Sequence, residues 1–440
     1  MLFTLEVLPA AEGDCLLLHW GESKSPRLAV IDGGPGTVYQ DTLRPRLDEI
    51  ADKRGGQRLR LDLVMVSHVD KDHIIGIKKL VRAIRRDVEK RLPVAQQAFE
   101  MRRLWHNAFN DLLGDAPDTY YKSFTASYQA SVDGTPDDKV VGELAKAFTA
   151  RGVTDDEASA ELASDVALLL AGHGEGRGVR DDHKYLFDAH QTSALNTPFK
   201  GAGGQPSLIM RVAGGAKPLA IDGLQLTIVG PSKDEIDALQ TEFDEYIEEN
   251  GFAAKALLAA YADDSVTNLS SIVCVAEFEG KRILFTGDAR GDKILEGLEA
   301  AGLCPAGGQI SIDVLKVPHH GSDRNLKQEF FERVRANTYV FSGDGKHGNP
   351  ERDTLSWLVA SRPKSDQYDI VLTYDVDHID ANREKDVGIK NKRRKPEKQI
   401  KWDPAANGLK AFFAETTKQA YTFTLRQGAP RIIDLIDPLP

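Results

Sequence analysis

The stretch Leu61–Lys79, LDLVMVSHVDKDHIIGIKK, constrains this chain more than any other. Leu63 to Val66 are apolar and partly β-branched, the composition of a short buried strand. Ile74, Ile75, Ile77 and Leu80 then recur as on the inner face of a helix. Between the two lie His68, Asp70, Asp72 and His73, all within six residues. Imidazole and carboxylate are the usual protein ligands of Zn²⁺ and related divalent ions. A tight strand-to-helix turn can aim all four into one cleft. A polar loop whose Asp caps the helix accounts for one Asp, but not for two His and two Asp at this spacing.

Two later strand ends carry the same residue types. Ser271–Phe278 and Arg282–Thr286 read as a hairpin joined by Glu279-Gly280, and Asp288 follows Gly287 just beyond it. Asp313–Val317 is another apolar strand and runs into Pro318-His319-His320-Gly321-Ser322. Neighbours on a strand point to opposite sides, so one His is expected to bind metal and the other to lean toward substrate. The expectation is His320 as ligand and His319 as acid or orienter. His347 stands before Pro350 in the Gly-rich GDGKHGNP and reads as metal ligand, substrate contact or plain loop. Asp32, in IDGG, reads as a turn residue or as the edge of a site.

The order of motifs resembles the metallo-β-lactamase fold hydrolases, whose first motif is His-x-His-x-Asp-His. Here Asp70 stands at the second His. The form His68-x-Asp70-x-Asp72-His73 is similar to the branch that includes the hydrolase domain of the bacterial DNA-uptake competence channel. Phosphorylcholine esterases belong to the same branch. The likeness extends to Gly13-Asp14, to Ile31-Asp32-Gly33-Gly34 and to the Val229-Gly230-Pro231 turn. It covers roughly residues 1–84 and 207–350. It implies an α/β fold, a four-layer αββα sandwich, holding two divalent ions, Zn or Mn. The ligands it implies are His68, Asp70, Asp72, His73, Asp288, His320 and His347, with Asp288 bridging. The added carboxylate at Asp70 makes the site harder and more hospitable to Mn²⁺. Asn268, with Ser270 or Ser271, matches an Asn-Ser feature of that branch, and a capping or turn role is equally open.

The organisation read from the chain is 1–84, first half of the hydrolase fold; 85–205, a mostly helical insertion; 206–350, second half; and 351–440, a C-terminal extension. Helices are expected at Gln96–Leu113, Asp138–Ala150 and Asp156–Leu170, and His173, His183 and His190 read as surface residues. Asp375, Asp377, His378 and Asp380 read as a solvated loop. The segment 390–401 is basic, with Lys392, Arg393, Arg394 and Lys395 consecutive. It reads as a solvated run or as the place where phosphates are held.

Composition narrows the class. A 440-residue chain with 41% apolar and 28% charged residues is ordinary for a soluble globular protein. A net charge of −11 argues against coating nucleic acid indiscriminately. No apolar run reaches the roughly 20 residues of a membrane helix, no signal peptide is visible, and Cys15, Cys274 and Cys304 lack metal spacing. The expected location is the cytoplasm, without membrane attachment.

The residues themselves argue for metal-assisted hydrolysis, with Asp72 and His319 as catalytic groups. The resemblance implies a phosphodiester, hence a nuclease or phosphodiesterase acting on DNA, with Asn268, Lys392, Arg393 and Arg394 toward substrate. The alternatives are hydrolysis of a small ester (a cyclic nucleotide, a phosphorylcholine ester or a lactone) and a regulatory protein with a degenerate metal site. A restraining partner protein acting through the insertion or the basic loop is a further expectation.

Overall fold

The computed structural model describes residues 1–56, 58–107, 146, 176–200, 208–211, 217–237, 270–392, 394–428 and 431–440. The protein is mixed α/β with several sheets, compatible with an α/β sandwich. It divides into two compact units, one made of Met1–Ile31, Met210–Gly230 and Ser271–Pro440, the other of Asp32–Ile209 and Pro231–Ser270.

The first unit holds an eight-stranded sheet whose strands follow one another in chain order. Leu219–Ile221, Leu224–Gly230, Val273–Phe278 and Lys281–Phe285 are antiparallel. Ile310–Lys316, Val334–Phe341, Asp369–Leu372 and Thr424–Arg426 then add in parallel. The expected hairpin through Glu279-Gly280 is present, both residues taking positive φ. The inner strands are buried on both faces, which is why they read as unbroken apolar runs rather than as alternation. Val273, Val275, Tyr339, Phe341, Ile370 and Leu372 face the helices Gly291–Ala300, Gln328–Arg333, Arg352–Ala360 and Leu409–Lys418. Phe278 points the other way, its ring 5.8 Å from that of Phe3.

Phe3 belongs to an antiparallel set, in which Leu2–Val7 pairs with Leu16–Gly21 and Leu16–Gly21 with Arg27–Ile31. The N-terminal strands therefore fold as their hairpin-like spacing suggests. Arg431–Asp434 pairs with the free side of Leu2–Val7, so the last strand closes onto the first.

In the second unit Leu63–Val66 pairs in parallel with Leu104–His106, and Leu59–Leu61 with Phe99–Met101. Parallel neighbours need a crossover, and the 19-residue helix Lys71–Glu89 provides it. The helix expected over Gln96–Leu113 is thus not formed in its described part: residues 94–106 give a short 3₁₀ turn and two strands. Backbone pairing with Leu59–Val66 outweighs a weak helical pattern there. Asn196 continues the edge of this pairing with its side chain, donating to the His106 carbonyl at 3.0 Å and accepting from its amide at 2.8 Å. His183, expected at the surface, is buried and bonds the Ser193 carbonyl at 3.0 Å. The expected helices at Asp138–Ala150, Lys146 apart, and Asp156–Leu170, and His173, lie outside the described residues, as do Ser207 and Val212 at the two ends of a strand expected over Ser207–Val212.

The C-terminal extension is another correction. Asp375, Asp377, His378 and Asp380 are not a loop but the start of the helix Val376–Asn391. Asp375 caps it, accepting from the His378 amide at 2.9 Å. Asp380 accepts the amides of Leu409 and Lys410 at 2.8 and 3.0 Å, seating the next helix.

The helix after the metal-ligand motif is docked by two glycines. Gly33 donates to the His73 carbonyl at 2.8 Å, and Gly76 donates to the Gly34 carbonyl at 3.1 Å. A Cβ on Gly76 would lie 1.9 Å from the Gly33 carbonyl oxygen, and one on Gly33 would lie 2.4 Å from the Ile77 nitrogen. In an exposed helix Gly→Ala stabilises by roughly 1 kcal/mol. Here the sign reverses: Gly76→Ala is expected to destabilise by about 1–3 kcal/mol or more, read as a lower midpoint in urea unfolding, and a stabilised variant would refute the docking.

Candidate metal centre

Of the four ligand candidates in the second unit, the two imidazoles are held by Asp32 and Ser67. Asp32 takes a left-handed backbone, φ 57°, at the end of its strand. Its Oδ1 accepts the Ser67 amide at 2.7 Å, and its Oδ2 accepts the Ser67 hydroxyl at 2.6 Å. The same Oδ2 lies 2.9 Å from His73 Nδ1. A carboxylate only accepts, so His73 Nδ1 carries the hydrogen and Nε2 keeps its lone pair. The Ser67 hydroxyl donates its hydrogen bond to Asp32, so its oxygen is left to accept from His68 Nδ1 at 3.0 Å. Both imidazoles are buried, with ring centroids 4.1 Å apart, and both offer Nε2.

Each Nε2 faces a carboxylate of the same motif. His68 Nε2 is 3.4 Å from Asp70 Oδ2, and His73 Nε2 is 3.6 Å from Asp72 Oδ2. Asp70 occupies the N-cap position of the helix, yet its side chain makes no capping hydrogen bond. The capping explanation for that residue therefore fails.

The first unit carries a matching arrangement. Asp288 is buried, and its amide donates to Ser271 Oγ at 3.2 Å. His319 and His320 do not continue the strand. They sit in a turn, Pro318–Gly321, with φ of 48° and 53°. Strand alternation consequently does not separate them, and both rings face Asp288. His319 Nε2 is 3.7 Å and His320 Nε2 3.5 Å from Asp288 Oδ2. Asn325 orients His319: its amide group donates to the Asp288 carbonyl at 3.2 Å, leaving Oδ1 to accept from His319 Nδ1 at 3.0 Å. His319 is the more exposed ring of the pair.

His347 lies on a turn with φ 61° and is exposed. Arg383 holds that turn by donating to the Gly348 carbonyl at 3.1 Å, and Asn382 donates to the Asp344 carbonyl at 3.0 Å. Lys392 and Arg394 sit at the far end of the same helix, Lys392 exposed. Asn268 and Arg393 lie outside the described residues.

His and Asp clusters that could hold a metal ion are present among the described residues. They draw on Asp32, Asp72 and His73 in one unit and on Asp14, Asp288 and His320 in the other. Asp14, Ser67 and Asn325 were not singled out as site residues from sequence. Only the Ser directly before His68 offered a local signal. His106 was also missed. It ends the strand beside Val66, and burial first, then the Arg180 charge, pushes its pKa down to about 3. It is a neutral imidazole.

No family model matches the chain, and no curated protein matches it.

Burial pushes the His320 pKa down, but Asp288 and then Asp14 outweigh it, so the metal-free ring is held well above 6.5. The native state then binds a proton that the unfolded chain releases near 6.5. This contribution is fully present below that value and is lost as pH rises toward the raised native pKa. Metal-free protein is expected to lose stability as pH rises from 6.5, measured as the thermal midpoint with chelator present. His320→Gln should flatten that slope, and an unchanged slope would remove the assignment.

Proposed function

We propose that the chain is a metal-dependent hydrolase that cleaves phosphodiesters in DNA with two divalent cations, Zn²⁺ or Mn²⁺, on a four-layer αββα sandwich. The observation that carries this reading is a recurring distance. Three His–Asp pairs stand 3.4–3.6 Å apart, Nε2 to Oδ2. That is long for a charge-assisted hydrogen bond, which is about 2.7–2.9 Å. It fits two ligands sharing one tetrahedral ion, because bonds of roughly 2.1 Å put neighbouring ligands about 3.4 Å apart. The donor set of imidazole nitrogen and carboxylate oxygen suits Zn²⁺ and Mn²⁺.

In one unit His68, Asp70, Asp72 and His73 would hold a cation, and in the other Asp288 and His320 would hold one. Two such ions supply Lewis-acid charge for a displacement at phosphorus and make water a nucleophile near neutral pH. The protein's own part is orientation. Asp72 is part-exposed and positions the attacking water. His319 is fixed at Nδ1 by Asn325, so its Nε2 can pass a proton to the departing oxygen. Lys390, Lys392, Lys395, Lys398 and Lys401 supply cations toward a phosphate backbone, on the helix that holds the His347 turn and just beyond it. Among the described residues no helix is long and apolar enough to cross a membrane.

The test is a screen with Mn²⁺, Zn²⁺ and Mg²⁺ against linear and circular DNA, RNA, cyclic nucleotides and a chromogenic phosphodiester. DNA cleavage is expected, reduced about a hundredfold or more in Asp72→Ala/His73→Ala, since changes merely behind such ligands already cost 10–100-fold. Turnover of small esters alone would replace the DNA reading, and failure to bind any of the three metals would end it.

A further inference from the structure

The geometry points to Lys316 as a positioning residue that fixes, through Asp14 and Ser342, which nitrogen His320 offers to a cation. The inference rests on the metal-hydrolase reading above. Lys316 is the last residue of its strand and is buried, 1% exposed at the side chain, as is Asp14. Its Nζ lies 2.7 Å from Asp14 Oδ2 and donates to the Val317 carbonyl at 3.0 Å. Asp14 Oδ1 accepts the Ser342 hydroxyl at 2.5 Å. Having given its proton to Asp14, Ser342 Oγ accepts from His320 Nδ1 at 2.9 Å. The far nitrogen, Nε2, is then the one turned to Asp288 at 3.5 Å.

The direction of the chain follows from what each group can do. An ammonium only donates and an ionised carboxylate only accepts; a hydroxyl does one of each along this path. Reversing any link would leave a buried donor facing a donor, or an acceptor facing an acceptor. Lys316 is what makes the path possible. A buried carboxylate without a cation is costly, and a neutral Asp14 would hold a proton that competes with the Ser342 hydroxyl. Lys316 and Ser342 each engage one Asp14 oxygen, so Asp14 supports His320 through Ser342. The other unit uses a shorter form of the device, Asp32 acting through Ser67 on His68 and directly on His73. There the carboxylate lies at a strand end, while Asp14 is matched to a lysine at the end of a strand of the eight-stranded sheet.

The experiment uses full-length protein with ¹⁵N-labelled histidine, Zn²⁺ competition against a chelator, and thermal unfolding as a check on folding. The variants are Ser342→Ala, Ser342→Thr and the pair Asp14→Leu/Lys316→Met. The pair removes both charges together, because replacing a buried ion pair by apolar side chains is tolerated where breaking it is not. In the Zn²⁺ form, wild type should show a protected His320 Nδ1–H resonance. Ser342→Ala and the double variant should stay folded, lose that protection and bind one Zn²⁺ about 10- to 100-fold more weakly. Ser342→Thr, which keeps the hydroxyl, should restore both. Folded variants with unchanged affinity and an unchanged ring proton would overturn the inference. If wild type takes up none of Zn²⁺, Mn²⁺ and Mg²⁺, the functional reading falls. The relay is then read without metal, above the pH at which His320 loses its second proton. Hydrogen on Nδ1 upholds it, and hydrogen on Nε2 refutes it.

Discussion

A buried carboxylate that can only accept hydrogen bonds governs this protein's chemistry. Asp32 takes the Ser67 amide, the Ser67 hydroxyl and His73 Nδ1, and so decides the hydrogen position on two imidazoles at once. For that, the helix bearing His73 must start hard against the Asp32 turn. The Gly33–Gly76 approach makes this possible, since a Cβ on Gly76 would fall within 1.9 Å of a carbonyl oxygen. A glycine that weakens its own helix is the condition for the site's hydrogen-bond pattern.

Strained backbone is found at the same places, as at several turns elsewhere. Asp32, His319, His320 and His347 all take left-handed φ, between 48° and 61°. Such conformations cost of order 1–3 kcal/mol each in non-glycine residues and persist only where the surroundings over-determine them. The surroundings here are doubly buried strands. The turn at His319-His320 extends a strand pinned in register on both sides, and Gly321 beside it packs against Phe341, where a Cβ would come within 2.7 Å. A rigid sheet supplies what a loop alone would not, two adjacent rings turned to one carboxylate.

The C-terminal extension is part of this support. Its helix Val376–Asn391 holds the His347 turn through Asn382 and Arg383, and Gly345 packs against the Ile379 backbone. The last strand pairs with the first. The helix carries few apolar residues on any one face. Polar contacts seat it, which is why a search for apolar periodicity reads its sequence as a loop.

Local chemistry was legible in the amino-acid order. The N-terminal hairpin strands, the Glu279-Gly280 hairpin and the strand–turn–helix around His68 and His73 each follow from apolar patterning over adjacent residues. The residue types in HVDKDH and PHHG also named Asp72, His73 and His320, which fall in clusters that could hold a metal ion. What the sequence left open depends on partners far along the chain. Strand pairing turned residues 99–106 from helix to sheet. Left-handed φ, and not strand alternation, set the two adjacent histidines on one carboxylate. Asp14 meets Ser342 across 328 positions, and Asp32 meets His73 across 41. Periodicity is a property of neighbours in sequence, whereas a hydrogen's place on an imidazole belongs to whatever the fold brings beside it, and only the tertiary structure decides that.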